Sequence, residues 1–180
     1  GSIGYHPIPT PSARNGIQVI GFVKDTKFST SRGFHDQPVT VEITSSTEGA
    51  EIWYTLDGGS PSIGIGSIYS VPIEINTTTI LRAAAFKNGF APSNIDTQTY
   101  VFVADVVKQP ANPVGFPAKW AGKDADYEMD PEVIGETDIF NGAYRQSIKD
   151  DLKSLPVMSV VMAPDDLFGN AGIYDHPQDD

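Results

Sequence analysis

At 180 residues the chain is long enough for one domain of about 100 to 150 residues plus additional segments. It holds no cysteine, which excludes disulfides, thiolate metal sites and cysteine nucleophiles. A net charge of −11 argues against a phosphate-bearing partner, so no nucleic-acid partner is expected, and no apolar run approaches the roughly 18 residues that span a bilayer.

The hydrophobic fraction of 39% is that of a globular protein, while 17 glycines and 14 prolines imply many short elements joined by turns. Residues 1–21, with Pro7, Pro9 and Pro11 among Thr10, Ser12, Asn15 and Gly16, cannot bury enough apolar surface to fold alone and read as a linker or a domain's tail. They carry no basic-then-apolar targeting signal. A first strand is expected from Phe22 to Ser29. A second follows where Val39, Val41 and Ile43 alternate with Thr40, Glu42 and Thr44.

The third strand, Ala50 to Leu56, puts Ala50, Ile52, Tyr54 and Leu56 on one face and Glu51, Trp53, Thr55 and Asp57 on the other. It must stop at Asp57-Gly58-Gly59-Ser60-Pro61, because Asp57 can bond to backbone two residues on, the glycines tolerate positive φ, and Pro61 cannot donate to a ladder. Short strands are expected around Ser67 to Tyr69 and Ile73 to Ile75. Ile80 to Phe86 then carries apolar residues on both faces, a pattern that a bulge would reconcile. Lys87 to Phe90 reads as a turn, and Ile95 to Val103 as a last strand. About seven short strands with turns at this spacing predict an all-β fold, an immunoglobulin-like antiparallel sandwich over residues 22–103. Its expected core includes Val41, Ile43, Ile52, Tyr54, Leu81, Ala83 and Tyr100.

The chain then changes character. The first 21 residues carry +1, residues 22–103 carry −3 and residues 104–180 carry −9. Residues 104–140, with Pro110, Pro113 and Pro117 and the string Asp124, Asp126, Glu128, Asp130 and Glu132, read as an irregular acidic connector. From Asn141, a plausible N-cap, Tyr144, Ile148, Leu152 and Leu155 fall on one helical stripe, and Pro156 ends it. Val157 to Met162, apolar on both faces, is expected to be a strand.

The run Val41-Glu42-Ile43-Thr44, Gly49 to Gly58, Pro72-Ile73, Thr79-Ile80-Leu81-Arg82-Ala83 and Tyr100 resembles the chitobiase/β-hexosaminidase C-terminal domain, an Ig-like module of large exported bacterial proteins. That family usually runs Asp-Gly-Ser at the turn, so Gly59 is an extra residue here. Ile148 to Val161, with Asp166-Leu167-Phe168 and Gly172-Ile173-Tyr174, resembles the opening of CotH-type kinase-like domains, and Tyr5 to Gly16 is similar to the exit from a lamin-tail domain. Together these imply a noncatalytic spacer or interaction module of an extracellular or cell-surface bacterial protein. Its division would be 1–21, 22–103, 104–140 and a CotH-like start at 141–180, with neighbouring domains of the same chain as partners.

For chemistry, His6, His35 and His176 fall in expected loops, no G-x-S-x-G elbow occurs, and Gly64-Ile65-Gly66 lacks the third glycine of a phosphate cradle. The fragment is therefore expected not to be an enzyme, although it could be the first piece of a kinase-like one. Asp124, Asp126 and Glu128 have the alternate spacing of a calcium loop, but Met129 and Gly135 stand where that loop needs glycine and glutamate, so a solvated connector competes with a calcium site. Trp53 is the aromatic on the outward face. With Tyr69 it could stack on a polysaccharide, and it could equally pack under the connector from Val103 to Trp120 or meet another domain.

Overall fold

A computed structural model describes residues 4–5, 18–120, 122–135 and 140–173. In chain order its strands are β1 (Gly21–Phe22), β2 (Thr26–Phe28), β3 (Gly33–Phe34), β4 (Val39–Val41), β5 (Ile43–Ser45), β6 (Glu51–Thr55), β7 (Ser67–Ile68), β8 (Ile73–Ile75), β9 (Thr79–Phe86), β10 (Phe90–Ala91), β11 (Asp96–Val101), β12 (Lys119–Trp120) and β13 (Lys123–Asp124). The helices are α1 (Val103–Val106), α2 (Pro131–Ile134), α3 (Ile148–Ser154) and α4 (Pro164–Phe168). The chain divides into two compact units. Gly1–Arg32, Val39–Ile75 and Thr79–Gln98 supply the first, and Gly33–Pro38, Asn76–Thr78 and Thr99–Asp180 the second.

The first unit is an all-β, Ig-like sandwich. One sheet runs β11-β9-β6-β7. Opposite it, β4 pairs with β8 through Val39↔Ile75 to Val41↔Ile73, and β5 pairs with β2 through Thr26↔Ser45 to Phe28↔Ile43. Val41, Ile43, Ile73 and Ile75 point inward from these ladders and are buried, as are Ile52, Leu81, Ala83 and Ala85 from the first sheet. Period-two alternation thus places the core as the sequence predicts.

Four details differ from expectation. The strand expected over Phe22 to Ser29 breaks in two: β1 pairs parallel with β10, which begins at Phe90 inside the expected turn, and only β2 joins β5. The second strand changes partner at Glu42, whose N–H donates to Ser29 Oγ at 2.8 Å and whose carbonyl accepts from Ser29 N–H at 2.9 Å. No bulge interrupts β9 against β6, because the register is continuous from Glu51↔Phe86 to Thr55↔Arg82. Instead Ala83, Ala84 and Ala85 are all buried, the small side chains allowing both faces to be covered. Finally, Tyr54 is half-buried and Leu56 is 45% exposed, so the inward face of β6 fades after Ile52. The two-residue edge strand β7 places only Ser67 opposite Tyr54, which leaves the phenol ring partly uncovered.

In the second unit β3 pairs parallel with the end of β11, Tyr100↔Gly33 and Val101↔Phe34, and His35 N–H donates to Val101 carbonyl at 2.9 Å. Tyr100 is fully buried, its ring 5.5 Å from that of His35, and burial pushes its phenol up to about 12. Phe102, Val103 and Val107 are buried at α1, an element the reading of an irregular connector did not foresee. Further along, β12 and β13 form a hairpin. Asp130 caps α2 by accepting from Glu132 N–H at 2.8 Å.

Asp105 on α1 accepts from Thr77 Oγ1 and from Thr78 N–H, both at 2.8 Å. The Thr78 backbone bond, then the Thr77 hydroxyl, hold its carboxyl below the ordinary 3.8. A carboxyl whose folded pKa is depressed contributes stability that is present above its unfolded pKa and lost as pH falls through the folded one. Acid titration below about pH 4 should therefore loosen the 76–78 attachment in the wild type. Asp105→Asn should flatten that limb, read by amide chemical shifts of Thr77 and Thr78. An unchanged limb would show that the carboxylate does not hold the segment.

The carboxyl-terminal stripe is helical only over α3, and residues 141–147 are turns, with Asn141 at φ 53° rather than capping a helix. The strand expected from Val157 to Met162 does not form. Among the described residues no neighbouring strand takes its backbone groups, and a strand without a ladder leaves those groups to solvent. Leu155, Val157, Met158 and Val160 are exposed.

Candidate functional site

The turn after β6 is built by the residues that stand out in the sequence. Asp57 Oδ1 accepts from Gly59 N–H at 2.9 Å, and Thr55 Oγ1 donates to Gly59 carbonyl at 2.6 Å, so the additional glycine is held at both its backbone groups. Gly58 takes φ 81°, the left-handed region that favours glycine. Arg82, opposite Thr55 on β9, donates from Nη1 to Gly58 carbonyl and to Ser60 Oγ, each at 3.0 Å, and from Nε to Thr97 Oγ1 at 3.2 Å. Its planar fork thereby ties β9, β11 and the turn together. Thr55, Asp57 and Arg82 thus hold the turn in place, a role that periodicity alone could not reveal because it depends on which strands become neighbours.

The outer face of the same strands carries Trp53, half-buried, with Ala84 across the β9 ladder and Ile68 across β7. Its indole Nε1–H donates to Glu51 Oε1 at 2.5 Å, which fixes the ring's orientation on the sheet. Glu51 also borders an open depression of about 550 Å³ lined by Ile63, Phe86, Lys87, Phe90 and Pro92. Lys87 Nζ donates to Glu48 carbonyl at 2.6 Å and lies 5.1 Å from the centre of the Phe90 ring, so this cation stiffens the rim.

Tyr69 does not join Trp53. Its N–H bonds Ile52 carbonyl at 2.8 Å, and its ring meets Tyr54 edge-on with centroids 6.5 Å apart. The register Trp53↔Ile68 sends Tyr69 to the opposite face, because neighbours along a strand alternate sides. Gly66 enables this close approach of the loop to β6: it takes φ 95°, and a Cβ there would lie 2.4 Å from the Tyr54 carbonyl oxygen.

Asp124, Asp126 and Glu128 are exposed, and Asp124 pairs with Lys119 at 3.3 Å across the β12–β13 hairpin. With side chains 67% and 88% exposed, that pair contributes little. Among the described residues no group of three or more His, Cys, Asp or Glu side chains converges on a point where a metal ion could sit. His35 stacks near Tyr100 and Phe102, whereas His6 and His176 lie outside the described residues.

The fold and this surface define a β-sandwich module whose motif residues serve the architecture. Residues 30–97 match the family model of the chitobiase/beta-hexosaminidase C-terminal domain, an interval that holds the Thr55–Asp57–Arg82 turn and most of the sandwich. No similar curated protein and no similar solved structure was found. No helix among the described residues is long and apolar enough to cross a membrane.

Proposed function

We propose that the sandwich is a noncatalytic interaction module of an exported multidomain bacterial protein, with the Trp53 face as its contact surface. The observation that carries the reading is the engagement of Thr55, Asp57 and Arg82 in the turn: the family's polar residues are committed to holding strands together. The name of the matched family supports a setting beside glycan-processing domains. Residues 141–180 are then the opening of a further, CotH-like domain. The exposed run of Leu155, Val157, Met158 and Val160 supports this, since apolar residues in such number need a partner surface.

A second reading, a carbohydrate-binding module, is favoured by the Glu51 bond that pre-orients the indole, because a ring fixed before binding loses less freedom when a sugar stacks on it. Neutral β-linked glycans presented on an array to the wild type and to Trp53→Ala separate the two. The interaction-module reading expects no signal from either protein. It also expects Trp53→Ala to cost about 1 to 2 kcal/mol, less than a fully buried aromatic, because the ring is half-buried between Ala84 and Ile68. A glycan signal lost in Trp53→Ala would establish the carbohydrate reading in its place.

A further inference from the structure

The strand β7 closes one side of its sheet, and among the described residues no strand lies beyond it. Tyr69 N–H donates inward to Ile52 carbonyl at 2.8 Å. Backbone groups of successive residues in an antiparallel strand point to alternate sides, so the N–H and carbonyl of Ile68 point outward, away from β6. Such an open row is a template for another strand, and proteins commonly blunt it with charged side chains.

No charge guards this edge. Residues 58–73, between Asp57 and Glu74, hold no Asp, Glu, Lys or Arg, and they form the longest uncharged run in a chain of net charge −11. Within that run Ile63, Ile65, Ile68 and Val71 are all at least half exposed. Ser62 and Ile65 exchange backbone bonds of 3.1 and 2.9 Å, which holds Ile63 at the tip of a turn beside the strand. Exposed aliphatic side chains thus flank open backbone, the mark of a contact surface.

We infer that a second copy of this chain occupies the edge, its β7 pairing antiparallel with this one about a two-fold axis at Ile68. A two-fold contact is isologous, so the surface must complement itself. The residues around Ile68 do so. With Ile68 opposite Ile68 of the second copy, the two exchange both N–H···O=C bonds, and Ile65 and Val71, equally spaced on either side of Ile68, come level with Val71 and Ile65 of the second copy. Charge favours the same seam. Two copies that each carry −11 repel where their acidic residues approach, but here each β6, with Glu51, stands about 14 Å from its counterpart, three strand spacings, against a screening length of about 8 Å in physiological salt. This goes beyond the reading above, because the Trp53 side chain stands on the sheet's face and the pairing uses its edge.

Sedimentation equilibrium of the full chain from about 10 μM to about 1 mM, the range of weak association, should show monomer and dimer with no larger species, since a two-fold contact closes. The Ile68 amide should exchange more slowly as concentration rises, a readout that needs no variant. Added salt should strengthen the dimer, because screening weakens the repulsion between acidic copies and the seam has no ion pair to lose. Ile68→Lys sets two ammonium groups opposite each other, and Ile68→Pro deletes the outward donor, a change that edge strands accommodate. Each variant should weaken the dimer at least about tenfold. A monomer throughout the range, a dimer that survives both substitutions, an Ile68 amide indifferent to concentration, or a dimer dissolved by salt would overturn the assignment.

Discussion

Tyr100→Ala should lower the stability of the protein by about 3 to 5 kcal/mol, the largest single-residue loss expected, because a fully buried aromatic loses both its transfer energy and the space it fills. The residue sits at the end of β11 against Gly33 of β3, with the His35 ring 5.5 Å away. Chemical denaturation measures the loss, and a value under about 1 kcal/mol would mean that the surroundings close over the cavity. Tyr54→Ala should cost clearly less, since that ring is only half-buried. Tyr100 also predicts an alkaline limb. Its phenol is raised to about 12 from an ordinary 10.0, so the contribution of the neutral form is complete below pH 10 and lost as pH rises from 10 to 12. Phenolate absorbance should show one tyrosine titrating late, together with loss of structure.

Arg82→Ala should cost about 2 kcal/mol. The guanidinium makes three bonds to the turn and to β11, and bonds from a charged donor are worth more than neutral ones, though partial exposure of the side chain reduces each. Removing it also strands the Gly58 carbonyl, which no longer has that donor. Arg82→Lys should recover less than half of the loss, because a single ammonium cannot address Thr97 and Gly58 in two directions at once. Thermal unfolding of the three proteins checks this, and a midpoint for Arg82→Ala indistinguishable from wild type would remove the turn from the account of why the motif has its residues.

Part of this was legible in the residue order. Alternation placed Val41, Ile43, Ile52, Leu81 and Ala83 in the core, and Asp57-Gly58 fixed where β6 must end, because the backbone period of two and the steric freedom of glycine act over a few neighbouring residues. Partner choice was not legible. The split of the second strand at Glu42, the assignment of Tyr69 to the face away from Trp53, and the absence of a ladder at Val157 to Met162 all depend on which segments, distant in sequence, come side by side. The same holds for Arg82, an ordinary strand residue by pattern, whose role appears only when β9 brings it beside the turn. The local sequence determined where strands could start, face inward and stop; the tertiary pairing decided their partners, because a ladder's stability belongs to two segments jointly and neither encodes it alone.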